Sequence, residues 1–150
     1  MKVSNIVAGI LIFALCLSAE ASDRKYIVKP RPGERKSLPF SEGVLVGNTL
    51  YMAGHIGLDD KTGMPPASAE EEARMVMNSI KQTVEQAGLT MDDIVTMQIF
   101  CTDLKWYDTF NGVYQTYFHG DYPARAFVGS NNILRGGRYE VMGVAVKRGQ

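Results

Sequence analysis

The chain has 150 residues, with 16 basic and 16 acidic side chains, a formal net charge of zero and 45% hydrophobic content. That composition is ordinary for one globular domain, with or without a targeting segment. An isoelectric point near 6.7 lacks the electrostatic footprint of a protein that neutralises many phosphates or sits on anionic lipid. Two cysteines and two histidines are too few for a disulfide scaffold or a self-contained zinc cluster.

At the N-terminus Lys2 supplies a positive charge, residues 6–17 are continuously apolar, and Ala19-Glu20-Ala21 matches a small-x-small cleavage pattern. Residues 1–21 therefore read as a secretory signal peptide and residues 22–150 as one exported domain, periplasmic or secreted. As a helix the apolar run spans about 18 Å, short of a bilayer core of about 30 Å, so stable membrane anchoring is not expected. Cys16 follows the bulky Leu15 where a lipidation signal needs a small residue. Cys101 is then the only cysteine of the mature chain, which has no internal disulfide despite an oxidising destination.

Residues 22–39 are polar and proline-punctuated and read as an arm, with room for a short strand at 26–28. Two β-prone runs, 44–46 and 49–56, flank Gly47-Asn48 and predict an antiparallel hairpin. Ser68 with Glu71 three residues later forms a capping box. Ala73, Val76, Met77, Ile80, Val84 and Ala87 then share one helical face up to Gly88, which predicts a helix over 69–87. A strand over 94–102 would put Val95, Met97, Ile99 and Cys101 on one face. Trp106, Phe110, Val113, Tyr114 and Tyr117 recur at helical spacing and predict a second helix over 106–118. Strands over 126–129 and 139–147 complete the chain, separated by a polar loop with Gly136-Gly137.

The order β-β-α-β-α-β-β predicts an α+β fold, two helices on one face of a mixed sheet. In the last strand Tyr139, Val141, Gly143 and Ala145 share one face, and Met142, Val144 and Val146 share the other with Glu140. Two helices cover only one side, so the second apolar face is expected to meet another subunit.

A carboxylate on such a face needs a cation or dense hydrogen bonding. Glu140 is thus the informative acid, with Arg125 as the expected partner and Arg135 and Arg138 as rivals. A register-setting ion pair and a functional site both explain that pattern. Arg125 alone has the planar fork that clamps a carboxylate bidentately. Gly54, inside a strand, marks either a bulge or a close approach of ligand to backbone. Cys101 reads as a core thiol, and His55 and His119 have no metal-ligand spacing.

Pro39-Phe40-Ser41-Glu42-Gly43, Ala53-Gly54-His55-Ile56, Ala87-Gly88, residues 95–103, Asn111-x-x-Tyr114 and above all Pro123-Ala124-Arg125 followed by Tyr139-Glu140-Val141 resemble the RidA/YjgF family of reactive-intermediate deaminases, over residues 38–147. The resemblance implies a chorismate-mutase-like α+β fold in a homotrimer whose sheets form a central barrel, with ligand clefts between subunits. It implies that Arg125 binds the carboxylate of an imine or enamine derived from an amino acid, that Glu140 positions the hydrolytic water, and that Gly54 offers backbone contact. The products would be a 2-oxo acid and ammonia, with no metal or organic cofactor and no nucleic-acid partner. Phe40, Ala53, His55 and Phe127 stand where family members active on 2-aminoacrylate typically have Tyr, Ser, Gln and Cys, and Met142 replaces a common second acid. These departures imply a drier, bulkier pocket, with His55 either a proton donor at its rim or a packing residue. A binding protein without turnover and a holdase-like trimer are the rival functions.

Overall fold

A turn that only glycine makes easily sets the first strand pair. In the computed structural model, which describes residues 23–28 and 38–148, Gly47 takes φ 57° at the first turn position of a two-residue hairpin. That positive φ matches the right-handed twist of the strands it joins, β2 (Gly43–Val46) and β3 (Thr49–Ile56). A short strand β1 (Arg24–Ile27) adds antiparallel to β2, slightly earlier than the 26–28 expected. The proposed signal peptide and most of the arm lie outside the described residues.

Helix α1 (Ala69–Gln86) starts where Ser68 Oγ accepts from the Glu71 N–H at 3.3 Å. It ends where Gly88, at φ 82°, turns the chain away. Strand β4 (Ile94–Cys101) leads through a 3-10 turn into α2 (Tyr107–Tyr114), followed by another 3-10 turn, Gln115–Tyr117. Strands β5 (Ala124–Gly129) and β6 (Tyr139–Val146) close the fold. The sheet order is β1-β2-β3-β6-β4-β5. Only β4 and β5 run parallel, which is why a helix must cross between them. The α+β fold with two helices and a mixed sheet is thus as expected.

Both helices lie on one face. Ala73, Val76, Met77, Ile80 and Val84 of α1 and Phe110, Val113 and Tyr114 of α2 bury Leu50, Met52, Met97, Ile99, Tyr139, Val141 and Ala145. On the other face Tyr26, Val44, Tyr51 and Val144 run in register across four strands. Both tyrosines of that row are more than half exposed. The helix-free side is therefore apolar within one chain.

Strand β4 departs from strict alternation. Ile94 and Thr96 pair with the adjacent residues Ala145 and Val144, so Val95 is the extra residue of a bulge. Ile94 takes the buried position and Val95 stays 47% exposed, contrary to the expected Val95, Met97, Ile99, Cys101 face.

Candidate active site

The expected pairing of Glu140 with Arg125 does not occur within the subunit, because the two residues project from opposite faces of the sheet. Arg125 is opposite Met97, which is opposite Gly143, so it shares the helix-covered face. Glu140 alternates with the buried Tyr139 and Val141 and takes the helix-free face. The buried ion pair is instead Glu72 with Arg138, one of the two rival arginines. Glu72 is fully buried, and its Oε2 accepts from Arg138 Nη1 at 2.6 Å. Its Oε1 takes the backbone N–H of Arg138 and, at 3.3 Å, of Tyr139. Arg138 further donates to the carbonyls of Pro66 and Ala67, each at 2.9 Å. Sequence reasoning passed over Glu72 because Glu70-Glu71-Glu72 looks like a solvated acidic first turn. Its place four residues before Val76, on the buried side, was the available signal.

Arg125 lies on β5, at the sheet edge, and is held by α2. Nη1 donates to Asn111 Oδ1 at 2.7 Å and Nη2 to the Tyr107 hydroxyl at 3.4 Å. The guanidinium carbon lies 4.7 Å from the Tyr114 ring centre, 5.7 Å from Tyr107 and 5.8 Å from Phe127. Spacings of four and three put Tyr107, Asn111 and Tyr114 on one helix face, so α2 is both a core helix and a cradle. The aromatic stripe expected from the sequence included Tyr114 but not Tyr107, and Asn111 entered only through the Asn111-x-x-Tyr114 resemblance. Every one of these partners is neutral, and no carboxylate reaches Arg125 among the described residues. Ring faces and an amide oxygen stabilise a cation without neutralising it. The cleft in front, about 390 Å³, is lined by Asn111, Tyr114, Gln115, Tyr122, Pro123 and Arg125.

The Tyr114 hydroxyl is buried with no hydrogen-bond partner. Burial pushes its pKa up to about 12, with Arg125 pulling the other way. Phe127, two residues along β5, packs edge-on against Tyr107 and Phe110, with ring centres 5.0 and 5.7 Å apart.

On the opposite face Glu140 lies against Gly54, where a Cβ would collide with its carboxylate. Gly54 is thus needed for close approach, here of a side chain. It also sits in a bulge, since the register slips by one residue between Met52 and His55. That slip corrects the placement of His55, which lies on the helix-covered face, not at a rim, and is 2% exposed. Nε2 is 3.2 Å from the Glu42 carbonyl oxygen, which can only accept, so this nitrogen carries the proton. Nδ1 is 2.8 Å from Ser79 Oγ. Nδ1 also lies 3.5 Å from Glu42 Oε2, so both ring nitrogens face groups of the chain itself, as a packing histidine would. Ala53 lies in the same bulge, its N–H on the Glu42 carbonyl at 2.9 Å. Phe40 is half exposed in the bend before β2.

Cys101 is fully buried, its thiol on the Asp103 carbonyl at 3.1 Å and its pKa raised by burial. Among the described residues no group of three or more His, Cys, Asp or Glu could hold a metal ion, and no helix is long and apolar enough to cross a membrane.

Comparison with known proteins places this arrangement. The family model described as endoribonuclease L-PSP matches residues 34–147. Among curated proteins, 2-iminobutanoate/2-iminopropanoate deaminase of Escherichia coli K12 is 34% identical over 113 residues, covering 73% of this chain and 88% of that one. The protein of the same name from Bos taurus is 33% identical over 110 residues, 73% and 80% of the two chains. The chain belongs to the RidA/YjgF family. The solved YjgF gene product of E. coli superposes with a TM-score of 0.73 at 30% identity, over 83% of this chain and all of that one. E. coli TdcF with bound serine gives the same values. RidA/YjgF membership accounts for the fold.

Proposed function

We propose that the protein hydrolyses small imines or enamines derived from amino acids, releasing a 2-oxo acid and ammonia, in clefts between the subunits of a homotrimer. One observation carries this reading: Arg125 and Glu140 project from opposite faces of one sheet, and neither meets an opposite charge among the described residues. A cation left with neutral partners at the lip of a cleft suits a ligand carboxylate. A carboxylate left open on an apolar, helix-free face suits a neighbouring subunit and an ordered water.

The chemistry asks for positioning more than for strong acids. Arg125 binds the substrate carboxylate through its planar fork. Glu140 of an adjacent subunit accepts a hydrogen bond from water and aims its oxygen at the imine carbon. The water oxygen bonds to that carbon, the C=N electron pair takes up a proton at nitrogen, and an aminol forms. Breaking the C–N bond then releases ammonia and leaves the 2-oxo acid. Relatives named as deaminases favour this over the nuclease of the family description, and so does a net charge of zero.

The row Tyr26, Val44, Tyr51 and Val144 supports assembly, since exposed apolar patches of this kind mark interfaces. The reading also keeps the leader: mature protein is expected to begin near Ser22 outside the cytoplasm, which N-terminal sequencing of the exported fraction checks. The central test combines light scattering with release of 2-oxo acid from imines made in the assay by an amino-acid oxidase. A trimer that accelerates imine hydrolysis is the expected result. A trimer that binds 2-oxo acids without turnover would make it a binding protein, and a monomer would remove the shared cleft.

A further inference from the structure

We propose that the cleft in front of Arg125 is a side-chain subsite that selects imino acids bearing an aromatic ring. This rests on the deaminase reading above and names its substrate class. The cleft has two kinds of wall. Arg125, Asn111 and Gln115 supply polar groups, while Tyr114, Tyr122 and Pro123 supply apolar surface. A volume of about 390 Å³ lies in the range of pockets for organic ligands well above the smallest imino acids.

The apolar wall is preorganised although it faces solvent. Tyr122 is 59% exposed, yet its ring is held 6.1 Å from Tyr114 at an interplanar angle of 30° and edge-on to Phe118 at 6.0 Å. A large ring fixed at the surface offers a flat ligand contact area with little further loss of side-chain freedom. A methyl group leaves that wall wet, whereas a phenyl or indole ring covers it.

The apolar side also carries a polar atom. Tyr114 is 4% exposed, its hydroxyl has no hydrogen-bond partner, and its ring lies 4.7 Å from the guanidinium carbon of Arg125. Buried hydroxyls without partners are rare, because desolvation is then uncompensated. A carboxylate seated on Arg125 meets the guanidinium fork beside that ring face. The anion fixes one end of the ligand, and Tyr122 with Pro123 reads the other.

Calorimetric titration of the purified protein with pyruvate and with phenylpyruvate tests this. Phenylpyruvate is expected to bind at least about tenfold more tightly. Tyr122→Ala should bring the ratio near one. Equal affinities for the two acids, or a preference that survives Tyr122→Ala, would overturn the subsite. Turnover of imines generated from alanine and phenylalanine separates the two claims. Intact phenylpyruvate preference with no hydrolysis of either imine supports the subsite and sinks the deaminase reading. Hydrolysis of both with no preference for the ring sinks the subsite alone.

Discussion

Arg125 lies on β5 and Arg138 in the bend just before β6, and the two have opposite surroundings. Arg138 meets the fully buried Glu72 carboxylate at 2.6 Å and two loop carbonyls, which ties the start of α1 to the start of β6. Arg125 meets an amide oxygen, a phenol and ring faces. The first arginine has its charge matched inside the chain, and the second has its geometry fixed while its charge stays open. A fold spends ion pairs on structure where both partners are internal, and leaves a cation unmatched where the matching anion arrives with the ligand.

That contrast is broken most strongly at Glu72. Glu72→Ala removes the only carboxylate on Arg138 among the described residues and strips two backbone N–H groups of their acceptor, so unfolding free energy should fall by about 3–5 kcal/mol. Urea unfolding measures it. A loss below about 1 kcal/mol would mean that solvent reaches Arg138 and that the pair is not the structural clamp described. Arg125→Ala should behave in the reverse way. Stability should change by less than about 1 kcal/mol, while binding or transition-state stabilisation falls by about 2–5 kcal/mol, as for truncating one side of a desolvated charge pair. Arg125→Lys keeps the charge without the planar fork and should still impair hydrolysis severely. Wild-type imine hydrolysis by a trimeric Arg125→Ala variant would remove the site from Arg125.

Gly54 sharpens the comparison from the other face. A methyl group there collides with the Glu140 carboxylate, so Gly54→Ala should displace the carboxylate proposed to hold water while Arg125, across the sheet, stays in place. Turnover number is expected to fall about a hundredfold, with pyruvate still bound. Equal loss of pyruvate affinity and turnover would instead point to a disturbed sheet.

Element order, both helices and the two-sided apolar last strand were legible because each rests on a period repeated over many residues. The site was legible only by residue type. Whether Arg125 meets Glu140 depends on which face each occupies, and that follows from strand register, which no local pattern specifies. His55 shows the same limit. Alternation from Leu50 and Met52 assigns Gly54 to the helix side and His55 to the other. One extra residue in the bulge inverts the assignment, and Gly54 within a strand was its only sequence signal. Glu72 was hidden by its neighbours Glu70 and Glu71, since burial of one acid in three depends on Arg138, 66 residues away.

The smallest effect tests the open side of the comparison, where Tyr114 carries a hydroxyl with no partner beside an arginine with no anion. Its pKa rises from the usual 10.0 to about 12, first because burial disfavours the phenolate. The native state therefore keeps a proton that the unfolded chain releases above pH 10. Stability from this source is complete below that pH and is lost as pH rises through 12, by no more than about 3 kcal/mol. Tyr139, also raised by burial, adds its own alkaline loss, so the comparison must be made against Tyr114→Phe. At pH 8 the variant should match or exceed the wild type, because no hydrogen bond is removed. Near pH 11 its urea midpoint should have fallen less than that of the wild type. Parallel curves at both pH values would mean that the phenol is hydrated or bonded in the native state, and would take away the unpaired donor beside Arg125.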